Sequence, residues 1–376
     1  MSLARNIEFL RHLPKLRRLS LLEGFGRGAG RGIRSPLVET EGFGTNPGDL
    51  RMFSFVPDSV QPAPALVVVL HGCGQTAAGY DLGAGWLMLA KQYGFALLMP
   101  EQQASNNVNG CFNWFNPQDS KRGHGEASSI RQMIARIVSQ HKIDAHRIFV
   151  TGFSAGGSMT SVMLATYPEI FAAGAIIAGM PYGVATNARE ALIGMFQSPA
   201  RPASELGNLV RNASRHRGPW PKVSVWHGSA DRTVNRANAD EIVKQWLDVH
   251  QLPSVPMSEG IVDGYPRQVW WNADGETIVE SYTITDMAHG TPLGTADDDE
   301  RYGARGAFLI EGGISSSYHI ANFFGLTAGI PQPRRAAKSA PRAVTEPSPK
   351  PHGKRRRALD VRAVITRALT AAGLMK

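Results

Sequence analysis

The chain has 376 residues, 43% of them hydrophobic, enough for one large core with appendages. Its net charge of +9 is unevenly spread: residues 1–34 hold 8 Lys/Arg against 2 Asp/Glu, residues 331–376 hold 12 against 2, and the body between them holds 20 against 27. No apolar run approaches the roughly 20 residues of a membrane-spanning helix, two cysteines are too few for a disulfide scaffold, and an anionic partner would meet the ends rather than the body.

Residues 1–40 read as a basic segment followed by a Gly-rich linker. Ile7, Phe9, Leu10, Leu13 and Leu16 follow a helical spacing that Pro14 breaks, and charges at Arg5, Glu8, Arg11 and Lys15 interrupt every apolar stretch. No A-x-A site follows, so the segment does not read as a signal peptide. The glycines between 24 and 32 lack the G-x-G-x-x-G spacing, and the preceding strand, of a dinucleotide fingerprint.

From about residue 50 to 325, apolar runs alternate with helical stretches. ALVVVLHG (65–72) and FALLMP (95–100) read as buried strands. EASSIRQMIARIVSQH (126–141) puts Ile130, Ile134, Ile137 and Val138 on one helical face. IFVTG (148–152), AAGAIIAG (172–179) and VSVWHGSAD (223–231) continue the strands, and residues 183–220, rich in Pro, Arg, Ser and Asn, suit a cap or surface insertion. NADEIVKQWLDVH (238–250) is a helix, and QVWWNADGETIVESYTIT (268–285) a hairpin turning at Asp274-Gly275. Such alternation predicts an α/β fold with a mostly parallel sheet flanked by helices, with functional residues at the carboxyl ends of the strands. The domain so defined spans 41–330. Residues 331–357 are aperiodic and rich in Pro, Lys and Arg, read as a disordered linker. Residues 358–376 carry a short amphipathic basic helix with Leu359, Val364, Ile365 and Leu369 on its apolar face.

The tract GFSAGG (152–157) lies between a strand and a helix. A G-x-S-x-G turn there lifts Ser154 clear of the sheet, with the free N–H groups of the helix start behind it. A nucleophilic serine needs a base, and His289, in a Gly-containing loop after the last β run, is placed to swing over the turn. The histidine needs a carboxylate. Asp231, just past a buried strand, is the choice; Asp286 and the run Asp297, Asp298, Asp299 and Glu300 are rivals. The order Ser, Asp, His is that of α/β-hydrolases. His71-Gly72-Cys73-Gly74 follows the first buried strand, where a backbone N–H for an oxyanion is supplied, and the N–H of Ala155 would be the second donor. No H-E-x-x-H or clustered second ligand accompanies His71, so no metal or cofactor is expected. Cys73 and Cys111 are either two buried thiols or one bridge. Phe112, Trp114 and Phe115 line a substrate cleft or belong to the core.

Together LHGCGQTAAGYDLGAGW, GCFNWF, RGHGEASSIRQMI, VTGFSAGGSMTSVMLATYPEIFAAGAIIAGMPYG, VWHGSADRTV and MAHGTPLG resemble the polyhydroxybutyrate (PHB) depolymerase family of esterases, in particular its extracellular type 1 catalytic domain, related to feruloyl and acetylxylan esterases. The resemblance covers about residues 45–325. It implies an α/β-hydrolase core, Ser154 as nucleophile, Asp231 as orienting acid, His289 as base, oxyanion donors at Cys73 and Ala155, and a Cys73–Cys111 disulfide. The implied partner is an ester substrate, with insoluble polyester as one form and a feruloyl or acetyl ester as the alternative. It also implies an extracellular or periplasmic site, with the cytoplasm as the alternative for want of a signal peptide. A protein of another class, docking an anionic surface, a granule or nucleic acid through its basic tails, is opposed by the intact Ser154, Asp231 and His289 and by the lack of any nucleic-acid motif.

Overall fold

The computed structural model describes residues 35–58, 63–294 and 301–327. The basic N-terminal segment to residue 34, the acidic run 297–300, the linker 331–357 and the helix expected at 358–376 lie outside the described residues.

The strands, in chain order, are β1 (Val38–Thr40), β2 (Arg51–Phe55), β3 (Leu66–Leu70), β4 (Ala96–Glu101), β5 (Ile148–Phe153), β6 (Ala173–Ile177), β7 (Lys222–Gly228), β8 (Ser258–Val262), β9 (Tyr265–Trp271), β10 (Thr277–Ile284), β11 (Thr291–Leu293) and β12 (Leu309–Glu311). The helices are α1 (Ala77–Ala84), α2 (Trp86–Tyr93), α3 (Pro117–Ser120), α4 (Gly125–His141), α5 (Ala155–Thr166), α6 (Ala188–Gln197), α7 (Ala203–Asn212), α8 (Ala237–His250) and α9 (Ser316–Phe323). Ten strands form one sheet in the order β1-β2-β4-β3-β5-β6-β7-β10-β9-β8. The central six, β4 to β10, run parallel, and antiparallel strands extend both flanks.

The continuous apolar runs exist because the central strands are covered on both faces. In β3, Leu66, Val68 and Leu70 enter one core with Ile130, Ile134 and Ile137 of α4, Met159 and Val162 of α5, and Trp246 of α8. Val67 and Val69 enter the other, with Trp86 of α2, Trp226, Tyr282 and Ile320 of α9. The hairpin of β9 and β10 is as expected, with Gly275 at φ +79° in its turn.

One boundary differs from expectation. The sheet begins at β1, inside the segment 1–40 read as linker, because Val38 to Thr40 pair with Met52 to Ser54. Residues 183–220 hold helices α6 and α7. Asn187 caps α6 by accepting from the Glu190 N–H at 3.0 Å, and Gln245 of α8 donates to the Leu206 carbonyl of α7 at 3.0 Å.

Candidate active site

Ser154 is the hinge between β5 and α5, with φ 56° and ψ −116°, a conformation a residue with a Cβ adopts only under constraint. The constraint is close packing of backbone. A Cβ on Gly152 would lie 2.3 Å from the Gly156 carbonyl oxygen, and one on Gly156 would lie 2.2 Å from that of Leu70. The Ser154 N–H donates to the Ile177 carbonyl at 2.9 Å, tying the turn to β6.

Asp231 and His289 follow β7 and β10, which are parallel neighbours, so their loops emerge side by side. Ser229 N–H donates to the Ile284 carbonyl at 2.9 Å and Ala230 N–H to the Met287 carbonyl at 3.1 Å. The imidazole bridges the two partners: His289 Nδ1 lies 2.7 Å from Asp231 Oδ2 and Nε2 lies 2.9 Å from Ser154 Oγ. Because Nδ1 faces a carboxylate, it carries the proton, and Nε2 is left to accept from the serine hydroxyl. The ring packs against Phe153, 4.8 Å between centroids, and Phe308, 5.9 Å. Asp231 Oδ1 accepts from the N–H groups of Thr233 and Val234 at 2.8 and 2.9 Å. Burial alone would raise this carboxyl; hydrogen bonds from His227 and His289 outweigh it and hold the group well below the usual carboxylate range. The rival Asp286 is exposed at φ 59°; its N–H donates to the Ser229 hydroxyl at 2.8 Å, and no bond joins its carboxylate to His289 among the described residues.

The loop after β3 passes over the start of α5. The Ala155 N–H, first in α5, has no intrahelical acceptor, and the Cys73 N–H has none among the described residues. His71 is a buried neutral ring: Nδ1–H donates to the Gly72 carbonyl at 2.8 Å, and Nε2 accepts from the Gln102 N–H at 3.1 Å. Burial pushes its pKa down to about 4. It is a structural tie, not a ligand. Gln75 Oε1 accepts from the Gly72 N–H at 2.9 Å. Cys73 and Cys111 form a disulfide. Behind it, Gln102 Nε2 donates to the Cys111 carbonyl at 2.9 Å and to Glu126 at 2.6 Å. Glu126 also accepts from the Asn113 N–H at 2.8 Å and the Asn113 amide at 2.7 Å. Burial, reinforced by Asp119, pushes its carboxyl up to about 8 against those bonds.

Of the two readings of the aromatics, cleft or core, Phe112 and Trp114 follow the core. Phe112 is fully buried in the core against His71, and Trp114 is 9% exposed, edge-on to Phe115. Only Phe115, half-buried at the core margin, has surface to offer. Sequence reading missed Phe308, Gln102, Glu126 and His227. The last stood in the quoted VSVWHGSAD, its only signal being its place four residues before the acid.

The family described as Esterase PHB depolymerase matches residues 54–254. The poly(3-hydroxyalkanoate) depolymerase C of Paucimonas lemoignei is 45% identical over 291 residues, 77% of this chain and 70% of that one. Feruloyl esterase B of Neurospora crassa is 34% identical over 281 residues, 72% of this chain and 94% of that one. Among solved structures, an acetyl xylan esterase from Aspergillus awamori matches with a TM-score of 0.65 at 24% identity, over 77% of this chain and 99% of that one, and shares its α/β-hydrolase fold. With the serine, histidine and aspartate in one hydrogen-bonded line at the carboxyl ends of β5, β10 and β7, the chain belongs to the PHB depolymerase family of serine esterases, which are carboxylic ester hydrolases.

Proposed function

We propose that the chain hydrolyses hydroxyalkanoate esters, as oligomer or polymer, through an acyl-enzyme formed on Ser154. The observation that carries this is the continuous line from Ser154 Oγ through His289 to Asp231. His289 Nε2 takes the hydroxyl proton as Oγ attacks the ester carbonyl. Asp231 holds the Nδ1–H tautomer and offsets the imidazolium charge. The N–H groups of Cys73 and Ala155 receive the oxyanion. His289 then protonates the departing alcohol, and water deacylates the serine through the same base. The choice of hydroxyalkanoate rests on the 45% identical relative. A feruloyl or acetylxylan ester is the second reading, favoured by the feruloyl esterase of Neurospora crassa and an acetylxylan esterase of Coprinopsis cinerea at 33% identity. The disulfide fits an oxidising, extracellular or periplasmic compartment.

Parallel assays on 3-hydroxybutyrate oligomers, PHB, methyl ferulate and acetylated xylan rank the substrates; preference for the last two overturns the hydroxyalkanoate reading. Ser154→Ala lowers turnover by several orders of magnitude with the fold intact, and a phosphonate probe labels Ser154. Labelling at another serine removes the assignment. The basic tail is proposed as an anchor for an anionic surface or granule: deletion of 331–376 leaves soluble-ester turnover unchanged and cuts co-sedimentation with anionic vesicles. Equal sedimentation with and without the tail ends that idea.

A further inference from the structure

Asp231 Oδ2, the oxygen that holds His289, faces a second imidazole. His227 Nε2 lies 3.3 Å from Oδ2 and 2.9 Å from the Val234 carbonyl oxygen. Both neighbours of Nε2 are acceptors, so Nε2 carries the proton. Nδ1 is buried with no hydrogen-bond partner among the described residues and is the unprotonated nitrogen. The opposite tautomer would set a lone pair against two oxygens and bury an unpaired N–H. His227 is 3% exposed, at the end of β7 and the floor of a cavity of about 520 Å³ between α8 and strands β8 to β10. The charged groups around that cavity are paired with one another or with neighbours. Arg236 pairs with Asp240, Arg267 with Glu280, and Glu259 accepts from Gln268.

Building on the triad reading, we infer that His227 is a positioning residue of the acyl-transfer machinery: its Nε2–H, shared between Asp231 Oδ2 and the Val234 carbonyl, takes the lone pair of Oδ2 that His289 leaves free. Oδ1 already accepts from two backbone N–H groups. His227 therefore completes the donor set of the carboxylate and fixes the plane in which Oδ2 meets His289. It also spreads the carboxylate charge. Without it the carboxylate is more basic and holds the His289 proton more tightly.

The test compares His227→Leu, which keeps bulk and loses the donor, with His227→Gln, whose amide nitrogen returns an N–H near the place of Nε2. In the leucine variant kcat falls about tenfold with KM little changed, the scale of outer-shell hydrogen bonds to functional groups. The acidic limb of kcat/KM moves up by about half a pH unit. The glutamine variant recovers most of both. A folded leucine variant with an unmoved limb, or two variants that behave alike, overturns the proposal. Nitrogen-15 histidine spectra of the native enzyme test it without substitution: His227 as the Nε2–H tautomer supports it, and the Nδ1–H tautomer refutes it. Asp231→Asn in the same assays separates the two levels: turnover close to native would overturn the triad itself, whereas a loss on the order of 10⁴ leaves only the role of His227 at stake.

Discussion

In the proposed mechanism, the turn at Ser154 and the loop after β3 serve the same ester carbonyl, yet they are held by opposite means. The turn is held by crowding. Backbone meets backbone at Gly152 and Gly156, and nothing between 152 and 157 titrates or can be reduced. The loop 71–75 is held by side-chain ties, several of them reaching outside it: the His71 ring accepts from the Gln102 N–H, Gln75 accepts from the Gly72 N–H, Cys111 is bonded to Cys73, and Glu126 stands behind Gln102. Backbone packing fixes the attacking atom whatever the solution conditions. The proposed oxyanion donor at Cys73 hangs on ties that acid or reductant can undo.

The largest effect is expected where crowding is broken. Gly156→Ala drives a Cβ to 2.2 Å from the Leu70 carbonyl oxygen and 2.5 Å from that of His71, both backbone. Neither atom belongs to a side chain that can rotate away, so the cost exceeds the roughly 1–3 kcal/mol of ordinary overpacking. We expect no folded, active enzyme, read by far-UV circular dichroism and phosphonate labelling of Ser154. A stable, active Gly156→Ala protein would show that the turn has slack and dissolve the contrast.

The same contrast explains what could be read in the sequence. GFSAGG was legible because its constraint is local: a strand, three glycines and a helix in one stretch. ALVVVL was legible because burial on both faces leaves no polar position. Asp231 was preferred to Asp286 from its place just past a buried strand, and Asp231 is the carboxylate that lies 2.7 Å from His289 Nδ1. The ties on the loop were not legible. His71 and Gln102 are 31 residues apart, Gln102 and Glu126 24, and nothing local marks them as partners. Phe112 was read as cleft or core because an aromatic beside a cysteine looks the same in sequence whether it faces in or out. Helices α6 and α7 were hidden by the Pro, Arg and Asn around them, and β1 by its three-residue length. Phe308, against His289, lies in a stretch with no period and no motif.

Breaking the covalent tie comes next. The Cys73–Cys111 bridge closes 38 residues, which the chain-entropy model values at about 4 kcal/mol. Reduction is expected to lower the melting temperature and slow acylation, while Ser154 still reacts with phosphonate because its hydrogen bonds do not pass through the bridge. Scanning calorimetry with and without reductant reads the first, and burst kinetics the second. Unchanged acylation after complete reduction would free the loop from dependence on the bridge.

Acid tests the titratable tie. The folded pKa of His71 is lowered from 6.5 to about 4 by burial, so the unfolded chain binds the proton more readily. Its stabilising contribution is whole above about pH 6.5 and is lost as pH falls toward about 4, amounting to about 3 kcal/mol for a buried group shifted this far. His250, at the end of α8, is lowered to about 4 in the same way and gives an internal control remote from the site. Denaturant titrations across that window should show stability falling for both histidines. His71→Gln should flatten its share and lower activity, whereas His250→Gln should flatten its share alone. Equal loss of activity in both would remove the link between His71 and the loop.

The smallest effect tests whether the loop's geometry matters apart from its stability. Gln75 is partly exposed and accepts from the Gly72 N–H at 2.9 Å, one residue before the proposed donor at Cys73. Gln75→Ala removes this bond and a longer one from Gln75 Nε2 to the Ala307 carbonyl at 3.3 Å, so the stability cost is about 1–2 kcal/mol. The bond from the Gly72 N–H also aims the peptide that follows Gly72. An oxyanion donor acts in the transition state more than in the ground state, so misaiming it lowers kcat and leaves KM nearly unchanged. We expect kcat to fall about fivefold, the equivalent of roughly 1 kcal/mol of transition-state stabilisation, against the 10²–10³ that loss of a whole donor costs. Steady-state kinetics on a soluble ester separates the two constants. A rise in KM at constant kcat would place Gln75 in substrate binding instead. No change in either would mean that the disulfide and His71 aim the loop by themselves, leaving Gln75 as a surface contact.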